Sequence, residues 1–206
     1  MNFSAVILAG GQSRRMGRDK AWLLVGGQPL LARQIELARS LGAREVFISG
    51  RADQDYSEFG CPVLQDRFAA AGPLAGIERA LDQLSSPWLF VLAVDLPNLT
   101  PGILRQLTDH AAGTTGVIPR VSGRIEPLTA IYPKAASSLA RTLLGNGFCA
   151  ATTFAEQCVQ FGMVTILDLP AAVARFFASC NTPSDLIPHQ FSGLALAGAA
   201  APPPPD

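Results

Sequence analysis

The sequence contains few of the residues that build soft-metal sites and disulfide frameworks. It has two histidines and four cysteines among 206 residues, and no two cysteines form a Cys-x-x-Cys pair. Structural zinc sites are normally made from closely spaced cysteine and histidine ligands, so this spacing argues against one. We therefore expect scattered, reduced and buried thiols, as in a protein of a reducing compartment.

Net charge and long apolar runs are lacking as well. Sixteen basic residues balance sixteen acidic ones, so no overall positive field would gather nucleic acid, and an anionic ligand needs a local cluster of cations. No stretch reaches the roughly 20 apolar residues of a membrane-spanning helix, and no charged leader precedes an apolar run at the N terminus. These absences predict a cytoplasmic protein that binds a small ligand, with neither nucleic acid nor membrane as a partner.

Apolar segments of strand length alternate with segments of helical spacing along the first 120 residues. The run over residues 88–94 is apolar throughout, which is typical of a central strand that is buried on both faces. Strands separated by helices predict a Rossmann-like α/β fold, a three-layer α/β/α sandwich with a mostly parallel central sheet and ligands at the carboxyl ends of the strands. The predicted strands cover residues 3–9, 45–49, 62–65, 88–94 and 116–119, and the predicted helices begin at Pro29, Pro73 and Pro101.

The second part of the chain has a weaker pattern. Strands are predicted over residues 127–132, 163–167 and 175–180, and a helix over residues 134–144. Since 49% of the residues are hydrophobic, the chain can bury one good-sized core, and residues 1–190 are predicted to form a single domain. Residues 191–206 are rich in alanine and proline and cannot bury enough surface to offset ordering, so they are predicted to be a disordered tail.

A glycine-rich loop with clustered basic residues follows the first predicted strand. Gly10 and Gly11 remove side chains where the backbone leaves the strand, so successive N–H groups can approach an anion. Arg14, Arg15 and Lys20 add cationic donors. The spacing fits neither a Walker A loop nor Gly-x-Gly-x-x-Gly. A tight turn beside solvated charges is the alternative interpretation, but three basic residues in one short loop favour phosphate binding.

Asp95 follows the most apolar predicted strand and stands two residues before Pro97. A carboxylate at this place is a hard oxygen ligand that suits Mg²⁺, which binds through one or two carboxylates together with phosphate oxygens. A turn or capping role is the alternative. The phosphate-binding loop at another strand end favours the metal.

Other acidic and polar candidates carry a weaker signal. Asp66, Glu126 and Asp185 each stand near a predicted loop, where a lone acidic residue is more typical of a surface or cap. Asn181 precedes Thr182-Pro183, a pattern that predicts the start of a short helix. Helix starts also bind anions, so the two interpretations are compatible.

The glycine-rich loop, Leu-Ala-Gly-Gly-Gln-Ser-Arg-Arg-Met-Gly-Arg-Asp-Lys at residues 8–20, resembles the signature of the molybdenum cofactor guanylyltransferases. This family lies within the larger group of nucleotide-diphospho-sugar-type transferases. Further segments support the resemblance in order, so that it covers roughly residues 3–187. They are Gln-Asp at 65–66, Gly-Pro-Leu-Ala-Gly at 72–76, Val-Asp-Leu-Pro at 94–97, Glu-Pro-Leu-Thr-Ala-Ile-Tyr at 126–132 and Asn-Thr-Pro at 181–183.

The resemblance implies transfer of GMP from GTP to the terminal phosphate of molybdopterin, which forms the guanine dinucleotide cofactor and releases pyrophosphate. It further implies transient contact with other proteins of molybdenum cofactor biosynthesis or with molybdoenzyme chaperones. Asp66 would help to bind the guanosine part, and Asp95 would bind Mg²⁺ together with the phosphates. The nucleotide-binding residues implied by the resemblance are Leu8, Ala9, Gly10, Gly11, Lys20, Ser49, Asp66, Gly72, Pro73, Asp95 and Asn181.

The expected chemistry is positioning and charge neutralisation, because one anionic phosphate must approach another phosphorus in line. Arg15, Lys20 and Mg²⁺ on Asp95 would serve it as the catalytic groups. The attacking phosphate is already ionised at neutral pH, so no general base is required. The scarcity of histidine is therefore compatible with an enzyme.

The sequence departs from the family pattern at three places, which concern mainly the acceptor. Ser49 and Ser179 stand where relatives often carry asparagine, and residues 148–154 read Phe-Cys-Ala-Ala-Thr-Thr-Phe where basic or polar residues are expected to meet the pterin phosphate. Two alternatives follow. One is a Mg²⁺-dependent nucleotidyltransferase with another phosphorylated acceptor, such as a CTP-using molybdopterin cytidylyltransferase or a sugar-phosphate nucleotidyltransferase; the other is a non-catalytic protein that delivers the cofactor.

Overall fold

The computed structural model describes residues 1–10, 20–68 and 71–180. Its strands are β1 Phe3–Leu8, β2 Leu24–Val25, β3 Gln28–Pro29, β4 Val46–Ser49, β5 Val63–Leu64, β6 Trp88–Ala93, β7 Gly116–Val121, β8 Arg124–Ile125, β9 Thr129–Pro133 and β10 Val164–Leu169. Its α-helices are α1 Leu30–Ser40, α2 Pro73–Gln83, α3 Pro101–His110, α4 Ser137–Gly145 and α5 Ala151–Gln160. Short 3₁₀ helices cover Lys20–Trp22, Ser57–Phe59, Lys134–Ala136 and Ala171–Phe177.

One twisted sheet forms the centre, with the strand order β10-β7-β9-β6-β1-β4-β5, and β8 pairs with β7. The pairs β1–β4, β1–β6, β4–β5 and β7–β10 are parallel, whereas β9 runs antiparallel to both of its neighbours. The mostly parallel sheet is thus confirmed, with β9 and the short β8, which is antiparallel to β7, as its reversed strands. The small β2–β3 hairpin lies outside this sheet.

The two faces of the sheet are covered by different helices because side chains alternate along each strand. On β1, Ala5 and Ile7 belong to the apolar cluster that includes buried residues of α1 and α3. Val6 and Leu8 belong to the cluster that includes residues of α2, α4 and α5. All six residues of β1 and of β6 are buried, as expected for strands packed on both faces. The three-layer α/β/α arrangement is therefore confirmed.

Most of the predicted elements are present, and the predicted strand over residues 175–180 is wrong. The 3₁₀ helix Ala171–Phe177 occupies its first part, and residues 178–180 have no regular secondary structure. Phe176 and Phe177 are half-buried and pack against a small cluster that contains Leu169 of β10, so they contact the sheet without being part of it. The spacing of apolar residues alone does not distinguish a strand of the sheet from a short helix that packs against it.

Helix α5 and the β2–β3 hairpin were not predicted. The start of α5 has no side-chain cap, so the sequence carries no conventional signal there. The predicted tail, residues 191–206, lies outside the described residues, and the single domain of residues 1–190 stays a prediction. Within the described ranges, every helix is too short or too polar to cross a membrane.

Candidate active site

The carboxyl ends of three strands lie side by side at one edge of the sheet. Leu8, at the end of β1, pairs with Ser49 of β4 on one side and with Ala93 of β6 on the other. The strands therefore finish at the same level, and their following loops start together. The prediction that Gly10 and Asp95 lie at the same edge is confirmed.

The loop after β1 begins close to the loop after β4. The amide of Ala9 donates a hydrogen bond of 2.8 Å to the carbonyl of Ser49. A Cβ atom at Gly10 would stand 3.6 Å from the backbone of Gly50, which is ordinary contact. Ala9 and Gly10 are therefore surrounded by backbone groups of the loop after β4, and a site with exposed backbone is what phosphate binding by N–H groups requires. Gly11, Arg14 and Arg15 lie outside the described residues.

Lys20 and Asp95 meet across this edge, although 75 residues separate them in the sequence. The Lys20 Nζ atom lies 3.0 Å from Asp95 Oδ2, and the two side chains are 17% and 26% exposed. Both charged groups are thus partly shielded from water. The structure brings the predicted cationic group and the predicted metal carboxylate into contact.

Aromatic packing supports the turn that carries Lys20. Trp22, in the same 3₁₀ helix, stacks on Tyr56 with 6.5 Å between ring centroids and contacts Phe59 at 4.8 Å. Tyr56 is buried, and its hydroxyl accepts a hydrogen bond from the amide of Arg51. A Cβ atom at Gly50 would stand 2.2 Å from the Tyr56 ring, so only glycine fits there. The loops after β1 and β4 are thereby tied together.

The segment before Asn181 returns to Asp95. The amide of Cys180 donates a 2.8 Å hydrogen bond to the Asp95 carbonyl, and the amide of Val94 donates one of 3.2 Å to Leu8. Cys180 itself is buried. Asn181 lies outside the described residues, but its chain neighbour contacts the Asp95 loop.

Helix α2 starts beside the ends of β1 and β4. A Cβ atom at Gly76, in its first turn, would stand 2.2 Å from Ser49 Oγ and 3.1 Å from Leu8 Cδ2. Gly72 precedes the helix with φ 65° and ψ −160°, a backbone conformation that favours glycine, and Pro73 occupies the first turn. The start of α2 is therefore close to the candidate site, and Ser49 is 5% exposed beneath it.

Asp66 follows β5, the next strand along the edge after β4. Leu64 of β5 pairs with Ser49, so the edge order is Asp95, the Gly10 loop, Ser49 and then Asp66. Partial burial raises the pKa of Asp66, and the negative charge of Glu78 raises it further. Three strand spacings of about 4.8 Å separate the loops of Asp95 and Asp66 by roughly 14 Å.

Glu78 joins the Asp66 region to α2 and α4. Its side chain is fully buried, and its Oε1 atom lies 3.1 Å from Arg141 Nε and 3.6 Å from Arg67 Nη1. Arg141 also contacts Asp82, one helical turn after Glu78, at 2.6 Å. Arg67 is the chain neighbour of Asp66, so this ion-pair cluster restrains the Asp66 segment.

The single carboxylate of Asp95 fits a magnesium ion that is shared with a substrate. Within the described ranges, no three His, Cys, Asp or Glu side chains form a group that could hold a metal alone. Mg²⁺ commonly keeps several waters and takes one or two carboxylates together with substrate phosphates. The fit therefore depends on a phosphate ligand in the adjacent loop.

An uncharged segment, residues 148–150, lies beside the start of α2. The carbonyl of Cys149 lies 3.8 Å from the Cβ position of Gly72, so residues 148–150 border that helix start. Phe148 is 54% exposed there.

Glu126 lies before β9, where burial raises its pKa and the charge of Arg124 partly offsets the rise. Asp185 lies outside the described residues.

Several residues of this arrangement were missed by sequence reasoning. They are Trp22, Gly50, Tyr56, Glu78 and Arg141, together with Gln34 of α1, whose Nε2 atom donates a hydrogen bond to the Leu96 carbonyl. Gln34 and Glu78 had a usable signal, since each is a polar residue among the buried positions of an amphipathic helix. The close glycine contacts had no local signal, because their partners lie on other elements.

The sequence of this chain matches a known protein family. Residues 5–158 match the family described as the MobA-like NTP transferase domain. A relative from Opitutus terrae, named probable molybdenum cofactor guanylyltransferase, is 36% identical over 185 residues, which cover 88% of this chain and 92% of the relative.

Two solved structures share the fold. The molybdopterin-guanine dinucleotide biosynthesis protein A of Archaeoglobus fulgidus has a TM-score of 0.69 at 22% identity, covering 89% of this chain and 94% of its own. The 2-C-methyl-D-erythritol 4-phosphate cytidylyltransferase of Thermus thermophilus has a TM-score of 0.67 at 19% identity, covering 90% and 96%.

Proposed function

Since the chain belongs to the MobA-like NTP transferase family, we propose that it is a molybdenum cofactor guanylyltransferase. It transfers GMP from GTP to the terminal phosphate of molybdopterin and releases pyrophosphate. The observation that carries this proposal is the contact between Lys20 and Asp95 beside the Gly10 loop. The printed name of the Opitutus terrae relative supports the guanine nucleotide and the acceptor.

The nucleotide extends along the edge of the sheet. The triphosphate lies against Leu8, Ala9, Gly10, Gly11 and Lys20, and the guanosine part lies towards Asp66. Guanine presents both acceptor and donor groups, which suit backbone N–H groups at the start of α2 and the Asp66 carboxylate. Gly72 and Pro73 shape that start, and Ser49 lies beneath it. Asn181, which lies outside the described residues, is a further proposed nucleotide-binding residue.

In the reaction, an oxygen of the acceptor phosphate forms a bond to the α-phosphorus of GTP. The bond from that phosphorus to the oxygen bridging to the β-phosphorus breaks, and pyrophosphate leaves. Lys20 and Arg15 hold the phosphates and reduce the repulsion between the two anions. Asp95 would hold Mg²⁺, which when bound supplies charge neutralisation for the phosphates. Neither of the reacting groups needs a general base.

A different phosphorylated acceptor is the second candidate. Residues 148–150 border the start of α2, and residues 148–154 contain no basic residue that could bind a pterin phosphate. The cytidylyltransferase of Thermus thermophilus, whose name includes a sugar-like phosphate, has the same fold. The cytoplasmic location and the transient contact with cofactor biosynthesis proteins or chaperones stay predictions.

The deciding experiment measures pyrophosphate release with two nucleotides and two acceptors. The protein is incubated with Mg²⁺, either GTP or CTP, and either molybdopterin or a sugar phosphate. We expect turnover only with GTP and molybdopterin. Turnover with a sugar phosphate and none with molybdopterin would refute the acceptor, and preference for CTP would refute the base.

A further inference from the structure

The loop after β6 is held by three hydrogen bonds to consecutive carbonyl groups. The Asp95 carbonyl accepts from the amide of Cys180 at 2.8 Å. The Leu96 carbonyl accepts from Gln34 Nε2 at 2.8 Å, and the Pro97 carbonyl accepts from Arg33 Nη2 at 3.2 Å. Two of the three donors are adjacent side chains of α1, which lies more than 60 residues earlier.

Gln34 is placed at a position that ordinarily takes an apolar residue. It is 2% exposed, and the neighbouring buried residues of α1, such as Leu31 and Ile35, belong to an apolar cluster. A carbonyl can only accept, so the bond to Leu96 fixes the amide with its NH₂ group towards the loop. Within the described part of the chain, Gln34 Oε1 has no hydrogen-bond partner.

A buried side-chain amide that forms a hydrogen bond through its NH₂ group alone contributes little to the stability of the folded state. Its carbonyl oxygen loses hydration on burial and gains no hydrogen bond in return. Core packing therefore does not explain a glutamine at this position. Its donated bond does fix the residue that follows Asp95. Arg33, which is half-buried, fixes the next carbonyl from the same helix.

We propose that Gln34 and Arg33 are positioning residues that fix the Asp95 loop, and with it the carboxylate, relative to Lys20. This inference rests on the proposed function, in which Asp95 holds Mg²⁺ on the phosphates. Neither side chain needs to touch the substrate. Both act through the backbone of residues 96 and 97, so their loss changes where the carboxylate stands and leaves its chemistry intact.

The first test needs neither metal nor substrate. Amide hydrogen exchange is measured on the metal-free full chain for the wild type and for Gln34→Leu, which replaces the polar amide with an apolar side chain of similar size. We expect exchange over residues 95–99 and at the Cys180 amide to rise roughly tenfold, because the loop opens more often. Exchange in β1 and β4 should stay within about twofold of the wild type.

Ser4→Ala is the matched control. Ser4 forms a buried 2.6 Å hydrogen bond with Ser86 at the opposite end of β1, so the substitution removes a buried polar contact far from Asp95. Its exchange over residues 95–99 should match the wild type even when its stability falls. If Ser4→Ala and Gln34→Leu raise loop exchange equally, the effect is general destabilisation and the proposal is wrong.

The second test separates positioning from substrate binding. For Gln34→Leu we expect kcat to fall roughly tenfold to a hundredfold, since small misplacements in a site of this kind are costly. The Mg²⁺ concentration for half-maximal rate should rise, whereas KM for GTP at saturating Mg²⁺ should change by less than about twofold. A rise in KM with unchanged kcat would contradict the assignment.

Arg33 supplies a conservative rescue. Arg33→Met removes the donor to Pro97 and should reduce kcat, and Arg33→Lys keeps a donor and should recover most of it. Equal loss in both variants would exclude the hydrogen bond as the cause. If the wild type transfers no GMP at all, the proposed function fails, and the exchange comparison still decides whether Gln34 fixes the loop.

Discussion

The loop that carries Asp95 and the segment that carries Asp66 are restrained by different kinds of contact. The first is held through its backbone, whose carbonyls accept hydrogen bonds from Cys180, Gln34 and Arg33. The second is held through a side chain, because Arg67 is ion-paired with Glu78 and Asp82 on α2. One end of the candidate site thus depends on hydrogen-bond geometry and the other on charge.

This difference matches the tasks proposed for the two ends. A carboxylate that shares a metal with reacting phosphates has to stand in one place, since catalysis by positioning is sensitive to small displacements. A carboxylate that binds the nucleoside can tolerate more movement, because it contributes to affinity. Changes at the Asp95 end should therefore reduce kcat, and changes at the Asp66 end should raise KM for GTP.

The largest expected effect is at Asp95 itself. Asp95→Asn should lower kcat/KM by roughly a thousandfold or more, because it removes the proposed metal ligand and one partner of Lys20. The ion pair is partly exposed, so the free energy of unfolding should change by less than about 1 kcal/mol. Steady-state kinetics and urea unfolding measure the two quantities.

Asp109→Asn is the control for that change, since Asp109 is an exposed residue near the end of α3. It should leave both kinetics and stability close to the wild type. An active Asp95→Asn variant would remove Asp95 from the site and, with it, the contrast between the two ends.

A smaller effect is expected from Gly76→Ala, which tests how α2 is placed. The new methyl group would stand 2.2 Å from Ser49 Oγ, so the helix has to shift at a cost of about 1–3 kcal/mol. Because α2 carries Glu78 and Asp82, the shift should displace the Asp66 end and raise KM for GTP more than it lowers kcat.

Gly102→Ala provides the matched comparison on another helix. Gly102 lies in α3, and nothing stands within 4 Å of its Cβ position. Replacing a helical glycine with alanine in open space should stabilise the protein by about 0.5–1 kcal/mol. Opposite signs for the two substitutions are the expected result of thermal or urea unfolding, and equal signs would contradict the close contact at Gly76.

Disrupting the ion-pair cluster around Glu78 should have a smaller effect, a change of about fivefold in KM for GTP. Arg67→Met removes the side chain that links the Asp66 segment to α2, so KM for GTP should rise about fivefold while kcat stays within twofold. Arg105→Met, an exposed arginine of α3, is the control and should change neither. A fall in kcat with unchanged KM in Arg67→Met would mean that both ends act on the chemical step.

The strands whose carboxyl ends form this site were largely predictable from the sequence. The strand before Gly10 and the strand before Asp95 have clear apolar patterns, and parallel strands present their carboxyl ends at one edge. The sequence therefore predicts that the loop of Lys20 and Asp95 lie at one edge of the sheet, where the structure places the two side chains 3.0 Å apart. The nucleotide-binding roles of the individual residues stay predictions.

The supporting contacts were not predictable, because they join elements far apart in the sequence. Gln34 reaches Leu96 across 62 residues, and Arg141 reaches Glu78 across 63 residues. A local pattern shows that a polar residue occupies a buried helix position, but it does not show which carbonyl or guanidinium meets it. The predicted strand over residues 175–180 failed for a related reason, since its apolar residues pack over the sheet edge.

The smallest expected effect concerns the electrostatic destabilisation of the folded state by an ionised Asp66 near the negative charge of Glu78. Burial and the charge of Glu78 raise the pKa of Asp66 in the folded protein, so the folded state retains the proton more readily than the unfolded state. Protonation of Asp66 therefore stabilises the folded state relative to the unfolded state. This contribution to the free energy of unfolding is fully present below about pH 4, the ordinary pKa of an aspartate. It is lost as pH rises through the folded-state pKa.

Asp66→Asn cannot ionise, so it should escape this loss. The gain in stability from the substitution should therefore be larger at pH 7 than at pH 4. The difference should be less than about 1 kcal/mol, because Asp66 is only partly buried and solvent weakens its electrostatic interactions. Urea unfolding of both proteins across this pH range measures the difference, with Asp109→Asn as a reference that should show none. A difference that is constant with pH, or that grows as pH falls, would show that the Asp66 end is held without an electrostatic cost.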